Sequence, residues 1–495
     1  MKDIRNISRT LAAILAASML FSLAACGGTG TSSDTTADTT APISTEPEVT
    51  TDGFDLPDKD FGGQTFTVMG RINDRAIFTN FEIDVEAENG DIVNDAIFKR
   101  NSTLEERYNV DILQDLQENP ASALNKAIMA GDALYDAAFV EINAMRTPIT
   151  SGHFTDLYSL DHLDFDKPWW NSNANEALEI SGKLFTTSSA FSLQEKARIY
   201  FGVYNAAIAE QYETGDIQQM VLDGKWTIDK MNEFGRRFAA DVNQDGAMDM
   251  NDNYSVVCGA YTNFGAYTVA QGNSIIAKDS SGDLAIVMNN EHMIDSIDNV
   301  LTLLDRSVSM YCNDFQGKVD FDYWSASGKL FKQNQAMFSL SLISSLASFS
   351  EVEGLDYRVM TFPKFDEAQE RYYAQAEEFG LLFGIPSNAP DADFSAFMLE
   401  ALSHESYTTT LPAYIEISAK VKHVYDEKSA QILDLIFDSV NYDFGFLYGI
   451  GGLNQILMAK IPQAGKNNFA SLYASSEAKA QTELEKLLTT VAELE

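Results

Sequence analysis

The 495-residue chain is poor in cysteine, histidine, tryptophan and positive charge. It has 3 cysteines, 5 histidines and 4 tryptophans, and its 73 acidic residues outnumber 34 basic ones, giving a formal net charge of −39. A surface this acidic excludes nucleic acid as a partner and disfavours direct adsorption to anionic lipid. Cys258 and Cys312 could pair in an oxidising exterior, but two buried thiols are the favoured interpretation.

Familiar catalytic motifs are also missing. The sequence contains no G-x-S-x-G, no H-E-x-x-H, no Walker loop and no G-x-G-x-x-G. Its histidines are scattered without the spacing of metal ligands. Acidic residues are so abundant that a chance pair at glycosidase distance carries no weight. We therefore expect no catalytic residues and a protein that is not an enzyme.

The longest apolar run lies at the amino terminus. Basic residues precede an apolar stretch from Leu11 to Ala24, which is short for a membrane span and typical of a signal peptide. The sequence Leu23-Ala24-Ala25-Cys26 resembles the lipobox of bacterial lipoproteins. This resemblance implies removal of residues 1–25 and acylation of Cys26, where each buried methylene contributes about 0.8 kcal/mol to membrane binding.

The segment after the lipobox, residues 26–53, is almost entirely Gly, Thr, Ser, Asp, Pro and Glu. So few apolar side chains cannot offset the chain entropy lost on folding, so we expect a disordered tether. No later segment is apolar and long enough to cross a bilayer. The sequence thus predicts a protein held at the extracytoplasmic face of the cell membrane through lipid alone.

From residue 54 onward, short apolar segments alternate with amphipathic ones. Strands are expected at Gln64–Met69, Val110–Leu113 and Tyr135–Val140, separated by helices over Val93–Tyr108 and Ala121–Ala130. This order favours an α/β fold with a parallel sheet covered by helices, and the chain length implies two lobes. Further strands are expected at Ile199–Tyr204, Ser255–Cys258, Ala336–Leu340, Tyr357–Met360 and Gly380–Ile385, and further helices at Thr227–Ala240, Met293–Ser307, Asp393–Ser403, Lys428–Ser439 and Ser475–Glu495.

Short motifs follow one another along the folded body in a defined order: Val93–Ile97 with Lys99–Asn101, Pro168–Trp170, Tyr204–Asn205, Asp223–Thr227 and Pro363–Asp366. Their order and spacing resemble the extracellular solute-binding proteins of ABC importers, closest to the family 1-like sugar-binding group of clostridial bacteria. The resemblance implies a two-lobed periplasmic-binding-protein-like fold of type II. Each lobe would be a mostly parallel sheet flanked by helices, and hinge crossings would join the lobes. On this basis we place the first lobe at 54–203 plus 337–380 and the second at 204–336 plus 381–495.

The sharpest local motif is an acidic loop that fits the calcium pattern D-x-[DN]-x-[DN]-G. Calcium prefers several hard oxygen ligands, and Gly246 permits the sharp turn that such a loop needs. The last position holds aspartate rather than the usual bidentate glutamate, which should weaken binding, and no exiting helix is evident. An acidic surface turn is the alternative. The motif predicts a structural calcium site with ligands from Asp241, Asn243, Asp245, the Ala247 carbonyl, Asp249 and Asp252.

Aromatic side chains are candidates for contact with a sugar, because sugars present apolar C–H faces as well as hydroxyls. Trp169 and Trp170 are adjacent in a polar loop, where two rings are hard to bury together, so we expect one of them to face a cleft. Trp324 lies in another polar loop and is a further candidate. Trp226 directly precedes a helix and is expected in the core.

Polar candidates for solute binding lie next to the first and third strands. They are Arg71 and Asn73 after the first strand, and Asp136 and Glu141 beside the third. Ligands of open α/β sheets bind beyond the carboxyl ends of strands, which favours Arg71, Asn73 and Glu141. Asp136 could equally cap a helix or form an ion pair.

The leading hypothesis is a monomeric protein that captures a small solute, a mono- or oligosaccharide, and delivers it to ABC permease subunits. Binding would shift an equilibrium between open and closed lobes, without chemistry. A lipid-anchored glycoside hydrolase is one alternative and would carry two carboxylates facing each other across the cleft. A surface adhesin or scaffold is another and would lack a cleft of solute size.

Overall fold

A computed structural model describes residues 54–72, 83–419 and 427–494. The chain from residue 53 onward forms one compact unit. Within the described residues, none of the helices combines the length and the hydropathy needed to cross a membrane. The predicted signal peptide, Cys26, the tether and Asn73 lie outside the described residues.

The strands alternate with helices along most of the chain. They are β1 (Gln64–Arg71), β2 (Val110–Gln117), β3 (Ala137–Glu141), β4 (Tyr200–Asn205), β5 (Tyr254–Cys258), β6 (Ile276–Lys278), β7 (Leu284–Ile286), β8 (Met310–Tyr311), β9 (Ala336–Leu342), β10 (Tyr357–Met360), β11 (Ala374–Gln375), β12 (Leu381–Gly384) and β13 (Val440–Asn441).

The α-helices range from single turns to 24 residues. They are α1 (Ile92–Tyr108), α2 (Pro120–Ala130), α3 (Arg146–Thr150), α4 (Ser172–Leu178), α5 (Leu193–Ala197), α6 (Ala206–Gln211), α7 (Ile217–Leu222), α8 (Ile228–Phe238), α9 (Thr262–Ala270), α10 (Glu291–Leu303), α11 (Ala326–Lys332), α12 (Leu346–Ser350), α13 (Ala392–Thr408), α14 (Thr410–Ala419), α15 (Glu427–Asp438), α16 (Phe444–Tyr448), α17 (Ile461–Ala464) and α18 (Phe469–Ala492).

The first sheet has the strand order β12-β3-β1-β2. β1 pairs in parallel with β2 and β3, while β12 runs antiparallel to β3 and places Leu381 opposite Glu141. Helix α13 packs against this sheet through Phe394, whose ring centroid lies 5.9 Å from that of Phe66 in β1, and α1 contacts α13 through Tyr108 and Phe397, 5.1 Å apart between ring centroids. The carboxyl ends of β1 and β3 therefore lie at one edge of the sheet.

The second sheet has the order β10-β4-β9-β5-β8 and is mixed. β9, β5 and β8 are parallel, whereas β4 is antiparallel to both of its neighbours. Helix α8 lies close against this sheet, because a Cβ at Gly235 would be 1.9 Å from the hydroxyl of Ser255. The α/β fold class is thus confirmed, with mixed sheets flanked by helices. β3 and β4 belong to different sheets, so the rule for connections between parallel strands of one sheet does not set the direction of β4.

Strand pairing corrects the predicted lobe boundaries. β9 and β10 were expected in the first lobe, but they belong to the second sheet, with β4 between them. β12 was expected in the second lobe, but it pairs with β3 in the first sheet. Which sheet each of these strands joins depends on pairing with segments far away in the sequence, and local sequence patterns do not encode such pairing.

Candidate functional site

The carboxyl ends of β1 and β3 bring two predicted site residues together. Arg71 is the last residue of β1 and Glu141 the last of β3, and Arg71 Nε lies 3.0 Å from Glu141 Oε1. Their side chains are only 3% and 11% exposed. The ion pair offsets part of the cost of burying both charges, and Arg71 Nη1 also donates to the carbonyl of Ile72 at 3.1 Å. The sequence placed both residues correctly at this edge, while their role in binding stays a prediction.

Two chain segments join the sheets beside this edge. Ile199 forms an antiparallel bridge with Ala376, and Arg198 Nε lies 2.7 Å from Glu377 Oε2. We call residues 198–199 and 376–380 the linkers. On the first sheet, the Asn143 N–H beyond β3 donates to the carbonyl of Glu378 at 3.0 Å.

The linkers also touch the second sheet at its carboxyl-end side. The N–H of Ile343, just after β9, donates to the carbonyl of Ile199 at 3.2 Å. Tyr200 is the first residue of β4, and its hydroxyl lies 3.3 Å from the hydroxyl of Thr262, a residue that follows β5 in the chain. Strand carboxyl ends of both sheets therefore meet at the linkers, where open α/β sheets bind ligands.

Gln194 on α5 is the most unusual side chain in this region. It is 6% exposed, and both its amide nitrogen and its amide oxygen are buried without a hydrogen-bond partner among the residues that the structure describes. It lines a cavity of about 30 Å³ together with Arg71, Ser192 and Phe191. A buried polar atom without a partner costs about 1–3 kcal/mol, so an amide with two such atoms is expensive unless something binds it.

Helix α5 is held firmly in place by the residue after Gln194. Glu195 is 1% exposed and accepts hydrogen bonds from Tyr442 at 2.5 Å and from Ser188 at 2.9 Å. Lys196 Nζ lies 3.0 Å from the same carboxylate. Because these contacts fix α5, the Gln194 side chain has little freedom to turn toward water.

Asp136 is not part of this edge, which corrects its place among the solute-binding candidates. It precedes β3, at the opposite end of the strand from Glu141, and is 3% exposed. Its carboxylate accepts from the Thr67 N–H at 2.8 Å and from the Ser395 hydroxyl at 3.2 Å. Burial raises the pKa of Asp136 to about 6 despite these hydrogen bonds. The side chain ties β3 to β1 and α13.

Trp169 and Trp170 are both buried, so the prediction that one of them faces a cleft is wrong. Their side chains are 2% and 5% exposed. Both indole N–H groups donate to Glu400 on α13, each at 2.9 Å. Two adjacent rings fit in one core here because a single carboxylate accepts from both nitrogens.

Trp324 lies in a short turn after β8 and is 49% exposed. Its ring centroid is 4.5 Å from that of Tyr323, and its carbonyl accepts from the thiol of Cys312, which directly follows β8. The ring is available at the carboxyl end of β8, as a stacking residue requires, and its role stays a prediction. Trp226 is fully buried, as expected. Cys258 and Cys312 are free and buried, which confirms the thiol interpretation.

The acidic loop from Asp241 to Asp252 uses its carboxylates to bind its own backbone. Asp252 is fully buried and accepts from the N–H groups of Val242 and Asp249, both at 2.8 Å. Asp241 accepts from the Gly246 N–H at 2.8 Å. Among the described residues, no group of three or more His, Cys, Asp or Glu side chains is arranged to hold a metal ion. β5 follows directly, without an exiting helix, and calcium binding stays a prediction.

A groove of about 1160 Å³ lies between this loop and the segment after β8. Its lining includes Tyr254 of β5, Met310 of β8 and Arg306. Arg306 is occupied, because it makes two hydrogen bonds to Asp314 at 2.7 and 3.1 Å. None of the residues that line the groove belongs to the linkers.

Sequence reasoning missed Gln194 and the linker acids. The segment Ser192-Leu193-Gln194-Glu195-Lys196 carries three consecutive polar residues and resembles an exposed helical turn. In the structure all five residues are buried. A run of buried polar residues is visible only after the fold is known, so no signal in the sequence could have found it.

No protein-family model matches the chain, and no curated protein matches it in sequence. Solved structures match its fold over most of its length. The galacto-N-biose-/lacto-N-biose I-binding protein of the ABC transporter from Bifidobacterium longum has a TM-score of 0.55 at 12% identity, covering 87% of this chain and 99% of that one. The cyclic α-maltosyl-1,6-maltose-binding protein from Arthrobacter globiformis has a TM-score of 0.55 at 13% identity, covering 86% and 100%. The maltose-binding protein MalE from Listeria monocytogenes has a TM-score of 0.54 at 14% identity, covering 87% and 98%. The chain therefore has the α/β fold found in periplasmic-binding-protein-like sugar-binding proteins.

Proposed function

We propose that this protein is the solute-binding component of an ABC importer. It captures a small carbohydrate between its two sheets and passes it to membrane permease subunits. Acylation of Cys26 and the tether of residues 26–53 hold the folded body at the extracytoplasmic face of the membrane. The body works as a monomer and carries out no chemistry on the solute.

The observation that carries the proposal is the unpartnered amide of Gln194 beside the Arg71–Glu141 pair. An amide offers one acceptor and two donors side by side. Neighbouring sugar hydroxyls, which both donate and accept, match that pattern. Solute binding would therefore satisfy atoms that are unsatisfied without it. The fold supports this interpretation, because the solved structures that share it include oligosaccharide complexes.

The linkers supply the conformational part of the function. They contact the carboxyl-end side of both sheets, so a change at Arg198 or Ala376 alters how the two sheets approach each other. A solute that contacts both sheets favours the closed arrangement over the open one by its difference in affinity. Such a closed form is what a permease can distinguish from the empty protein.

The first experiment is thermal unfolding of residues 54–495 against a panel of mono- and oligosaccharides, polyols and peptides. A solute that binds only the folded state increases the free energy of unfolding, by about 2.7 kcal/mol at a hundredfold excess over its Kd, and so raises the melting temperature. We expect one carbohydrate class to give this shift and to remain chemically unchanged in the mixture. Turnover of that carbohydrate would favour the hydrolase instead, and a folded protein with no response to any solute would contradict the proposal.

The variant Gln194→Met separates a binding residue from a structural one. Removing a buried amide without partners should stabilise the solute-free protein by about 1–3 kcal/mol and weaken solute binding about 10- to 100-fold. The matched control is Gln218→Met, because Gln218 is 3% exposed and donates to Ser429 at 2.9 Å. This control should lose stability and keep its affinity. If Gln194→Met also loses stability and keeps its affinity, the amide has a structural role only.

A further inference from the structure

A second small cavity lies under the linkers, and the side chains around it offer oxygen atoms. It has a volume of about 10 Å³, enough for one particle of the size of a water molecule or an ion. Tyr200, Thr262, Gln375 and Glu378 line it, and its remaining lining is apolar. These four side chains carry two hydroxyls, one amide and one carboxylate, and Met458 adds a thioether, a weak ligand, to the apolar part of the lining. Hard cations prefer the oxygen donors.

Two of these oxygen-bearing groups have no partner of their own. Gln375 is 7% exposed, and its Oε1 atom is buried without a hydrogen bond to any part of the chain that the structure describes. The half-buried Glu378 carboxylate takes part in no hydrogen bond or ion pair among the described residues. A buried acceptor and a carboxylate at one cavity, both unpartnered, leave a gap in the hydrogen bonding that a donor or a cation would fill.

The charges around the cavity leave one carboxylate uncompensated. The nearby cations are each paired with another acid, Lys196 with Glu195 and Arg198 with Glu377. Burial and the neighbouring Glu377 carboxylate raise the pKa of Glu378 to about 7, although Arg198 opposes this effect. Near neutral pH a proton partly neutralises the site, and a cation would replace that proton.

We propose that this cavity binds a small monovalent cation, either an alkali ion from solution or the ammonium group of a solute. A single carboxylate matches one positive charge, and a divalent ion would remain half-compensated. Binding of an alkali ion does not depend on the proposed solute-binding function, whereas binding of the ammonium group of a solute rests on it. In either case the cation connects Glu378 of the linker and Gln375 of β11 to Tyr200 of β4 and Thr262 at the start of α9.

The first test compares thermal unfolding of residues 54–495 in sodium, potassium, ammonium and choline chloride at equal ionic strength and about pH 8. Choline is too large for the cavity and serves as the reference salt. At a tenfold excess over Kd, a small cation should raise the melting temperature by about 1–2 °C. Glu378→Gln should abolish the difference between salts. The matched control is Glu105→Gln, which removes another half-buried carboxylate whose pKa burial raises; it should keep the difference.

The second test distinguishes the two sources and does not depend on any variant folding. Crystals of the wild-type protein soaked in rubidium or thallium(I) should show an anomalous peak between Glu378 and Gln375 if an alkali ion binds. In a solute panel, glucosamine should raise the melting temperature more than glucose or N-acetylglucosamine if the ammonium group binds. An empty or water-filled cavity together with equal responses to amine and neutral sugars would overturn the cation site, and neutral-sugar binding would still support the proposed function.

Discussion

Replacing Glu400 with glutamine should make the stability of the protein less dependent on pH. Glu400 is 3% exposed and accepts hydrogen bonds from Trp169, Trp170 and the Asp164 N–H. Burial raises the pKa of this carboxyl group from 4.5 to about 7, and the three hydrogen bonds oppose that effect only in part. The folded protein therefore holds a proton on Glu400 at pH values where the unfolded chain has lost it.

The sign and size of the effect follow from this difference in proton binding. Below pH 4.5 both states are protonated and the stabilisation is fully present, and it is lost as pH rises through about 7. Each unit of difference between the folded and unfolded pKa is worth about 1.36 kcal/mol, so ionisation of Glu400 removes about 3 kcal/mol from the free energy of unfolding. Glutamine does not titrate, so the variant lacks this loss. It offers one oxygen to two indole N–H groups, and one unsatisfied donor costs about 1–3 kcal/mol.

We therefore expect Glu400→Gln to be less stable than the wild type by about 1–3 kcal/mol near pH 5, and equal to it or more stable near pH 8. The assay is urea unfolding followed by tryptophan fluorescence and by circular dichroism at a series of pH values. Burial also raises the pKa of Glu378 to about 7 and that of Asp443 to about 6, but these groups titrate alike in both proteins. Their contribution cancels in the difference.

The control is Glu176→Gln, an exposed glutamate on α4 close in sequence to the two tryptophans. Its stability relative to the wild type should stay constant across the same pH range. A gap between Glu400→Gln and the wild type that does not change with pH would refute the reasoning, because Glu400 would then carry the same charge in folded and unfolded protein.

Three further predictions concern the stacking residue, the acidic loop and the linkers. Trp324→Ala should weaken carbohydrate binding about 3- to 10-fold by isothermal titration calorimetry and leave the melting temperature unchanged, because the ring is half exposed; unchanged affinity would remove Trp324 from the site. Calcium should raise the melting temperature where magnesium does not, and Asp245→Ala, a change at an exposed position, should abolish the shift; equal effects of both ions would leave an ordinary acidic turn. Arg198→Met should lower the free energy of unfolding in urea by about 3–5 kcal/mol, because it leaves the carboxylate of Glu377 buried without its partner. The double variant with Glu377→Gln should recover part of this loss, and additive losses would show that the two side chains are not coupled.

Much of the fold could be predicted because its elements have strong local patterns. The apolar segment Tyr357–Met360 forms a strand with the predicted bounds, and the predicted helix Val93–Tyr108 begins one residue earlier in the structure. Helix α1 starts where it does because the Asp91 side chain accepts from the Val93 and Asn94 N–H groups. Such caps and periodicities lie within a few residues of one another, so the sequence reveals them directly.

The candidate site was predictable only where it depends on strand ends. Arg71 and Glu141 were found because a residue at the carboxyl end of a parallel strand has a fixed place in the sheet. Trp169 and Trp170 were misjudged because their shared acceptor, Glu400, lies 231 and 230 positions further along the chain. No local pattern indicates a partner at that distance.

The sequence by itself determined the α/β class, the order of strands and helices, the acidic surface and the predicted membrane anchor. These properties follow from composition and short-range periodicity. The tertiary structure alone decided that β12 returns to the first sheet and that the linkers meet the strand ends of both sheets. It also decided that the buried Gln194 amide and the half-buried Glu378 carboxylate have no hydrogen-bond partner within residues 54–72, 83–419 and 427–494. Burial and hydrogen bonding of a polar side chain are set by whatever packs against it, and here those neighbours come from distant parts of the chain.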